Sequence, residues 1–235
     1  LSGTELKDVT GLVHNAALAR SPVEERYIRE AARLSKVGMD AFLEAAEPGC
    51  RQAEAVALCE HAARMAGAET VGLYMSAGEP WVWGRQRDDI AFQDGDIVAL
   101  EVNARYKGYY GQVCRTAPVG NPSDEKLQIR DAAKAAHDKM LTLVKPGVRP
   151  KELYAAGLAV AQEYGFDYSG VRFGHGLGMT IGEGFSITDN DTTVIPEGAY
   201  MVMHPLLIRS DIGACGIWGD QLLVRSNGPE LLTSD

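Results

Sequence analysis

The chain is short of paired cysteines. Cys50, Cys59, Cys114 and Cys215 are scattered and none makes a CxxC spacing, which removes a zinc–thiolate site and leaves a reduced, cytoplasmic protein as the expectation. Positive charge is also short: 23 Lys and Arg face 32 Asp and Glu, a net charge of -9. That balance argues against nucleic acid and against an anionic membrane surface as partners. No apolar run is long enough to span a bilayer. Neither a methionine nor a charged segment followed by an apolar one opens the chain at Leu1, so a secretory leader is not read there. Residues 1–20 are expected to be a linker or the tail of a preceding N-terminal domain. What remains is ordinary globular composition, 46% hydrophobic over 235 residues, enough for one large core spanning residues 21–235.

Helix signals divide this segment. Ser21-Pro22-Val23-Glu24 reads as a cap followed by proline in the first turn and a glutamate three residues on, opening a helix to about Glu47 with Tyr27, Ile28, Ala31, Leu34, Val37 and Phe42 on its apolar side. Pro48-Gly49 stops it, and Gln52–Ala66 is a second helix. Glu69–Ser76 reads as a strand. Gly78–Asp89 reads as a loop carrying Trp81 and Trp83, either a surface anchor or an aromatic wall over a pocket. Ile97–Ala104 is a strand, Lys107-Gly108 a hairpin turn and Tyr109–Thr116 the return. Glu101 and Asn103 share a parity and point to one face, and Gln112 is a polar residue at the centre of the return strand. Helices follow at Ser123–Leu143 and Pro150–Tyr164, then a glycine-rich segment, a loop to Asp191, a strand into His204, Leu206–Ser210 and a last strand Gln221–Arg225. Two helix pairs, each followed by β structure, describe a duplicated α+β architecture.

Two histidines stand out. In Gly174-His175-Gly176-Leu177-Gly178 three glycines bracket one imidazole; the pattern fits a site to which backbone or ligand comes close, and equally a tight turn around a core histidine. His204 ends the apolar run Ala199–Met203 before Pro205, the position of a side chain delivered from the end of a buried strand. His14, His61 and His137 lie among charged residues and read as solvated. Arg115 reads as a structural ion-pair partner. Arg172 and Arg209 flank the histidine segments, where each suits an anionic group or a salt bridge.

Several segments together carry a resemblance: Ser21-Pro22-Val23-Glu24-Glu25, Asp94-Gly95-Asp96-Ile97-Val98, Gly108-Tyr109 with Arg115-Thr116, the glycine–histidine segment with Glu183, Ile195-Pro196-Glu197-Gly198, and Asp220 before Leu223-Val224. In this order the chain from Ser21 onward resembles the creatinase / Xaa-Pro aminopeptidase / methionine aminopeptidase family, which implies the α+β pita-bread fold, a homodimer and an N-terminal domain closing the site. The family's peptidases hold two divalent metals with two Asp, one His and two Glu. Carried over, those positions hold Glu101, Gln112, His175, His204 and Gly219, and the substrate-side histidines fall at Trp83 or Gly84 and at Gly182. Two close dications need several carboxylates to offset their repulsion, so a dinuclear centre is not expected.

Three readings follow. The first is a creatinase-like, metal-free hydrolase cutting a C–N bond of a small polar substrate by acid–base chemistry of His175, His204 and Glu101. Its substrate-binding candidates are Trp83, Gln112, Tyr110, Glu183 and Asp220, and it takes no cofactor. In the second, Glu101, His175 and His204 hold one divalent transition metal in a hydrolase or lyase. The third is a pseudo-peptidase that has lost catalysis and serves as a binding module. By family, an Xaa-Pro peptidase-like label also fits.

Overall fold

A computed structural model describes residues 3–78, 83–84, 86–87, 89–166 and 172–233. The helical layers follow the expected signals. α2 (Pro22–Ala45) starts at Ser21, whose hydroxyl accepts from the Glu24 amide while the Glu24 carboxylate accepts from the Ser21 amide at 2.8 Å. This capping box satisfies two amides that a bare helix start leaves orphaned. Ile28, Ala31, Leu34, Met39 and Phe42 turn inward from α2, Met39 and Phe42 packing with Ala55, Val56 and Cys59 of α3 (Gln52–Met65) and Ile28 with Leu177, Tyr200 and Val202. A four-stranded sheet follows: β2 (Asp96–Tyr106) pairs antiparallel with β1 (Thr70–Ser76), β3 (Tyr109–Tyr110) and β4 (Val113–Val119).

The second half repeats the plan. α4 (Asp124–Leu141) and α5 (Pro150–Glu163) precede a five-stranded sheet ordered β11-β10-β7-β5-β6. Its strands are β5 (Gly174–Leu177), β6 (Ile181–Ser186), β7 (Tyr200–Met203), β10 (Asp220–Leu223) and β11 (Glu230–Leu231). A separate hairpin, β8 (Leu206–Arg209) with β9 (Ala214–Ile217), leads on from β7 and packs on α4. One bridge stitches the two sheets together: the Cys114 and Gly219 amides each donate to the other's carbonyl at 2.9 Å. No described helix is long and apolar enough to cross a membrane.

Four sequence expectations need correction. The segment expected as a linker holds α1 (Thr10–Ala16), and by Arg20 the chain is already part of the fold: the Arg20 amide donates to the Gly198 carbonyl at 2.9 Å and its buried guanidinium pairs with Glu183 at 2.9 Å. The return strand expected over Tyr109–Thr116 is broken at Gly111-Gln112. There the backbone presses on α2 so closely that a Cβ on Gly111 would stand 2.3 Å from the Ala31 carbonyl oxygen. β6 lies in the expected loop to Asp191, its apolar pattern interrupted by two glycines. His137, expected in solvent, is buried on the inner face of α4.

Candidate functional site

The two sheets and the β8–β9 hairpin enclose a cavity of about 440 Å³. Three elements deliver its polar floor. On β2 the strand alternation sends Leu100 and Val102 into the first-half core and Glu101 with Asn103 to the opposite face, where the Asn103 amide donates to Glu101 Oε1 at 2.9 Å. His175 comes from β5. A Cβ on Gly174 would stand 2.3 Å from the Val202 carbonyl oxygen, and one on Gly176 would stand 1.9 Å from that of Glu183. Both flanking positions are therefore closed to side chains by the neighbouring strands, and the glycines serve strand packing around His175. His204 follows β7, its amide donating to the Phe173 carbonyl at 2.8 Å. The His175 and His204 rings meet edge to face, with centroids 5.1 Å apart and planes at 71°.

Hydrogen bonding fixes one tautomer. His175 Nδ1 lies 2.9 Å from the Gly176 carbonyl oxygen; a carbonyl only accepts, so Nδ1 carries the proton and Nε2 the lone pair. Both ring nitrogens of His204 are buried without a hydrogen-bond partner among the described residues. Burial drives both imidazoles towards the neutral form, His175 well below the usual histidine range with His204 and Arg172 adding to the effect, and His204 down to about 4. Burial pushes the Glu101 carboxyl up, against the opposing pull of Asn103, Arg172 and Gln112. The floor thus offers a neutral base, a neutral N–H donor and a carboxyl biased towards its acid form.

The walls are mostly apolar: Tyr74, Ile181, Leu206, Ile208 and Ile217 line the cavity with Trp83, and Arg172 completes the described lining. Trp83 therefore falls where the aromatic-wall reading put it, while Trp81 lies outside the described residues. Tyr74 could have been found from register, since it pairs across from Glu101 and directly opposed residues share a face.

Four substrate-binding candidates are not in the lining. Gln112 is buried outside it, its backbone N–H donating to Gln221 Oε1 at 3.2 Å. Tyr110 packs with Ile28, Leu177 and Tyr200 beneath the Arg105 guanidinium. Glu183 is held by Arg20 and by the Thr180 amide. Asp220 is tied to Arg115 at 2.9 Å, as expected for a structural ion pair. Arg209 is likewise taken up, by Asp211 and Glu125.

The donor set does not fit the metal centre that the resemblance implies. Among the described residues no group of three His, Cys, Asp or Glu side chains is placed to hold a metal ion. The two neighbours that would complete a two-metal site are a neutral amide at Gln112 and no side chain at Gly219. A Cβ on Gly219 would stand 2.6 Å from His204 Cβ and 3.1 Å from Cys114 Cβ. On this backbone position 219 is closed to any side chain, by the Met203 carbonyl at 2.8 Å as well as by these two Cβ atoms.

Fold and floor together define an α+β pita-bread domain with an imidazole pair at its centre. The chain belongs to metallopeptidase family M24, which it matches over residues 26–226. It is 28% identical over 237 residues to an Xaa-Pro dipeptidase of Pyrococcus horikoshii, a match covering 97% of this chain and 66% of that protein. It is 27% identical to a creatinase of a Bacillus species, covering 99% of this chain and 61% of the other. The solved prolidase of Pyrococcus furiosus superimposes with a TM-score of 0.90 at 26% identity, over 97% of this chain and 69% of that one. The chain thus spans about two thirds of the length of these relatives.

Proposed function

We propose that this chain is a metal-independent hydrolase of a C–N bond in a small substrate, with His175, His204 and Glu101 as its catalytic groups. The observation that carries the reading is His204. Its two ring nitrogens are buried and unpartnered among the described residues, on a side chain that lines the cavity beside a second imidazole. Buried polar atoms without partners are rare in folded proteins and ask for a ligand or water.

In this mechanism His175 Nε2 accepts a proton from water as the water oxygen adds to the scissile carbon. The neutral His204 ring donates its N–H to the oxygen on which charge develops, and its depressed pKa keeps it a neutral donor. Glu101, biased towards the acid by burial, gives its proton to the leaving nitrogen. A C–O bond forms and the C–N bond breaks. The proton on His175 returns to Glu101 through solvent and closes the cycle.

The likeness to a creatinase supports a non-peptide substrate. The likeness to an Xaa-Pro dipeptidase favours a peptidase, but that reading meets the misfit donor set. A binding module without catalysis leaves the open His204 nitrogens without a purpose. The test is to assay chelated protein on amides, amidines and betaine-like substrates while metal content is read by inductively coupled plasma mass spectrometry. Hydrolysis is expected to survive chelation and to fall by about 10²-fold or more in His175→Ala. Retention of about one equivalent of a transition metal that disappears in His204→Ala overturns the proposal.

A further inference from the structure

Above its polar floor the described lining of the cavity is aromatic and aliphatic. Trp83, Leu206, Ile208 and Ile217 line it and form one apolar cluster with Ala99, Cys114 and Cys215. Tyr74 and Ile181 line it too, and they reach solvent, 46% and 40% exposed. The described rim is therefore as carbon-rich as the wall. An apolar surface that runs from solvent into a cavity marks a ligand site. The described floor favours neutral groups. Burial holds both imidazoles in the neutral form and pushes the Glu101 carboxyl towards its acid. The Arg172 guanidinium is engaged within the protein, with Ser186 Oγ at 3.4 Å and in a further interaction. A cationic ligand would share the cavity with that guanidinium, and an anionic one would have to draw it from its partners. Burying either charge without a partner is costly. The floor does offer a matched set of neutral groups. His175 Nε2 is an acceptor, and the two unpartnered nitrogens of His204 are one donor and one acceptor in either neutral tautomer. A neutral amide, whose carbonyl accepts and whose N–H donates, satisfies that set.

We infer that the cavity takes an uncharged amide with an apolar aryl or alkyl body, the body lying against Trp83, Ile208 and Ile217 and the amide on the two imidazoles. Such a ligand takes the place of the small polar substrate expected from sequence. The amide as the bond to be cut rests on the hydrolase reading above; the preference for an uncharged apolar ligand does not.

The test compares acetanilides that share one body and differ only at the para position, which carries a methyl, an n-propyl, a carboxylate or an aminomethyl group in its ammonium form. Binding to the whole chain is read by calorimetry and turnover by release of the arylamine. The methyl compound is expected to bind about 10- to 100-fold more tightly than either ion, the usual difference when a buried polar group lacks its partner. Propyl in place of methyl is expected to tighten binding by about 2- to 4-fold per added methylene, and Ile208→Ser to remove most of that gain. Either ion binding as tightly as the methyl compound, no gain from the longer chain, a gain that survives intact in Ile208→Ser, or no binding of any probe at millimolar concentration overturns the inference. If Ile208→Ser does not fold, the probe series on the unaltered chain decides the matter. Preference for the uncharged probes with no arylamine released, here or across the amide panel, sinks the hydrolase reading and leaves this inference. Turnover of the charged probes alone does the reverse.

Discussion

Two buried polar clusters lie on either side of the Cys114–Gly219 bridge, and they are finished differently. Around Asp220 the bonds all but close on themselves, His137 Nε2, buried 3.6 Å from Asp220 Oδ2, being left without a hydrogen bond among the described residues. Arg115 donates to Asp220 Oδ1, to the Cys114 and Gly219 carbonyls and to the Thr233 carbonyl, all between 2.9 and 3.0 Å, and the Thr233 hydroxyl donates to Asp220 at 2.9 Å. The Arg115 guanidinium also stacks on the Trp218 ring. Around Glu101 the bonds stop short: both His204 nitrogens, Asn103 Oδ1 and Gln112 Oε1 are buried without partners among the described residues. Protein interiors usually satisfy such atoms because leaving them bare is costly. A closed cluster serves the fold, whereas an open one beside a cavity is held ready for a ligand. The two are built from similar residue types a few positions apart, so residue type alone does not separate them.

The contrast is broken most severely by removing Asp220. Asp220→Ala takes a carboxylate from the buried Arg115 guanidinium and is expected to destabilise the fold by about 3–5 kcal/mol, read as a lower urea midpoint at an unchanged slope; a loss under about 1 kcal/mol would mean that Asp220 does not hold the cluster together. The open cluster should behave in the opposite way. His204→Leu removes two unpartnered nitrogens, so stability is expected to hold or rise slightly. Hydrolysis should fall by about 10²–10³-fold, the usual loss when one oriented donor is removed. A variant that unfolds while keeping its activity per folded molecule would make His204 structural.

The helices are legible in the sequence because their signals are local: Ser21, Pro22 and Glu24 fix the start of α2 within four consecutive residues. The parity that puts Glu101 beside Asn103 is local too, and the two side chains do hydrogen-bond. That His175 and His204 line the cavity is legible from their flanks, one set between glycines and one ending a buried strand. Gln112, Tyr110, Glu183 and Asp220 are a different case. Glu183 and Asp220 are held by side chains far along the chain, Arg20 and Arg115, while Gln112 and Tyr110 are tied through their backbones to Gln221 and Tyr200. Neither periodicity nor spacing reports such partners. The apolar wall is hidden for a related reason, because Leu206 and Ile217 come opposite each other only once β8 pairs with β9.

Acid sharpens the comparison by acting on the open cluster first. His204 has a pKa of about 4 in the folded chain against about 6.5 for an unperturbed histidine. Between those values the unfolded chain binds the proton and the folded one does not. Stability therefore falls as pH drops from about 6.5 towards 4, by up to about 1.4 kcal/mol per pH unit for this group. His175, also depressed by burial, adds a slope of the same sign. Glu101 works the other way: with its carboxyl raised by burial, the folded chain holds a proton that the unfolded one releases above its ordinary value. Its contribution to stability is thus fully present at low pH and lost as pH rises through the folded value. Urea midpoints at pH 5, 6 and 7 are expected to fall towards acid in the unaltered chain and to fall less steeply in His204→Leu. Parallel pH dependence in the two proteins would mean that the cost of charging resides outside the imidazole pair.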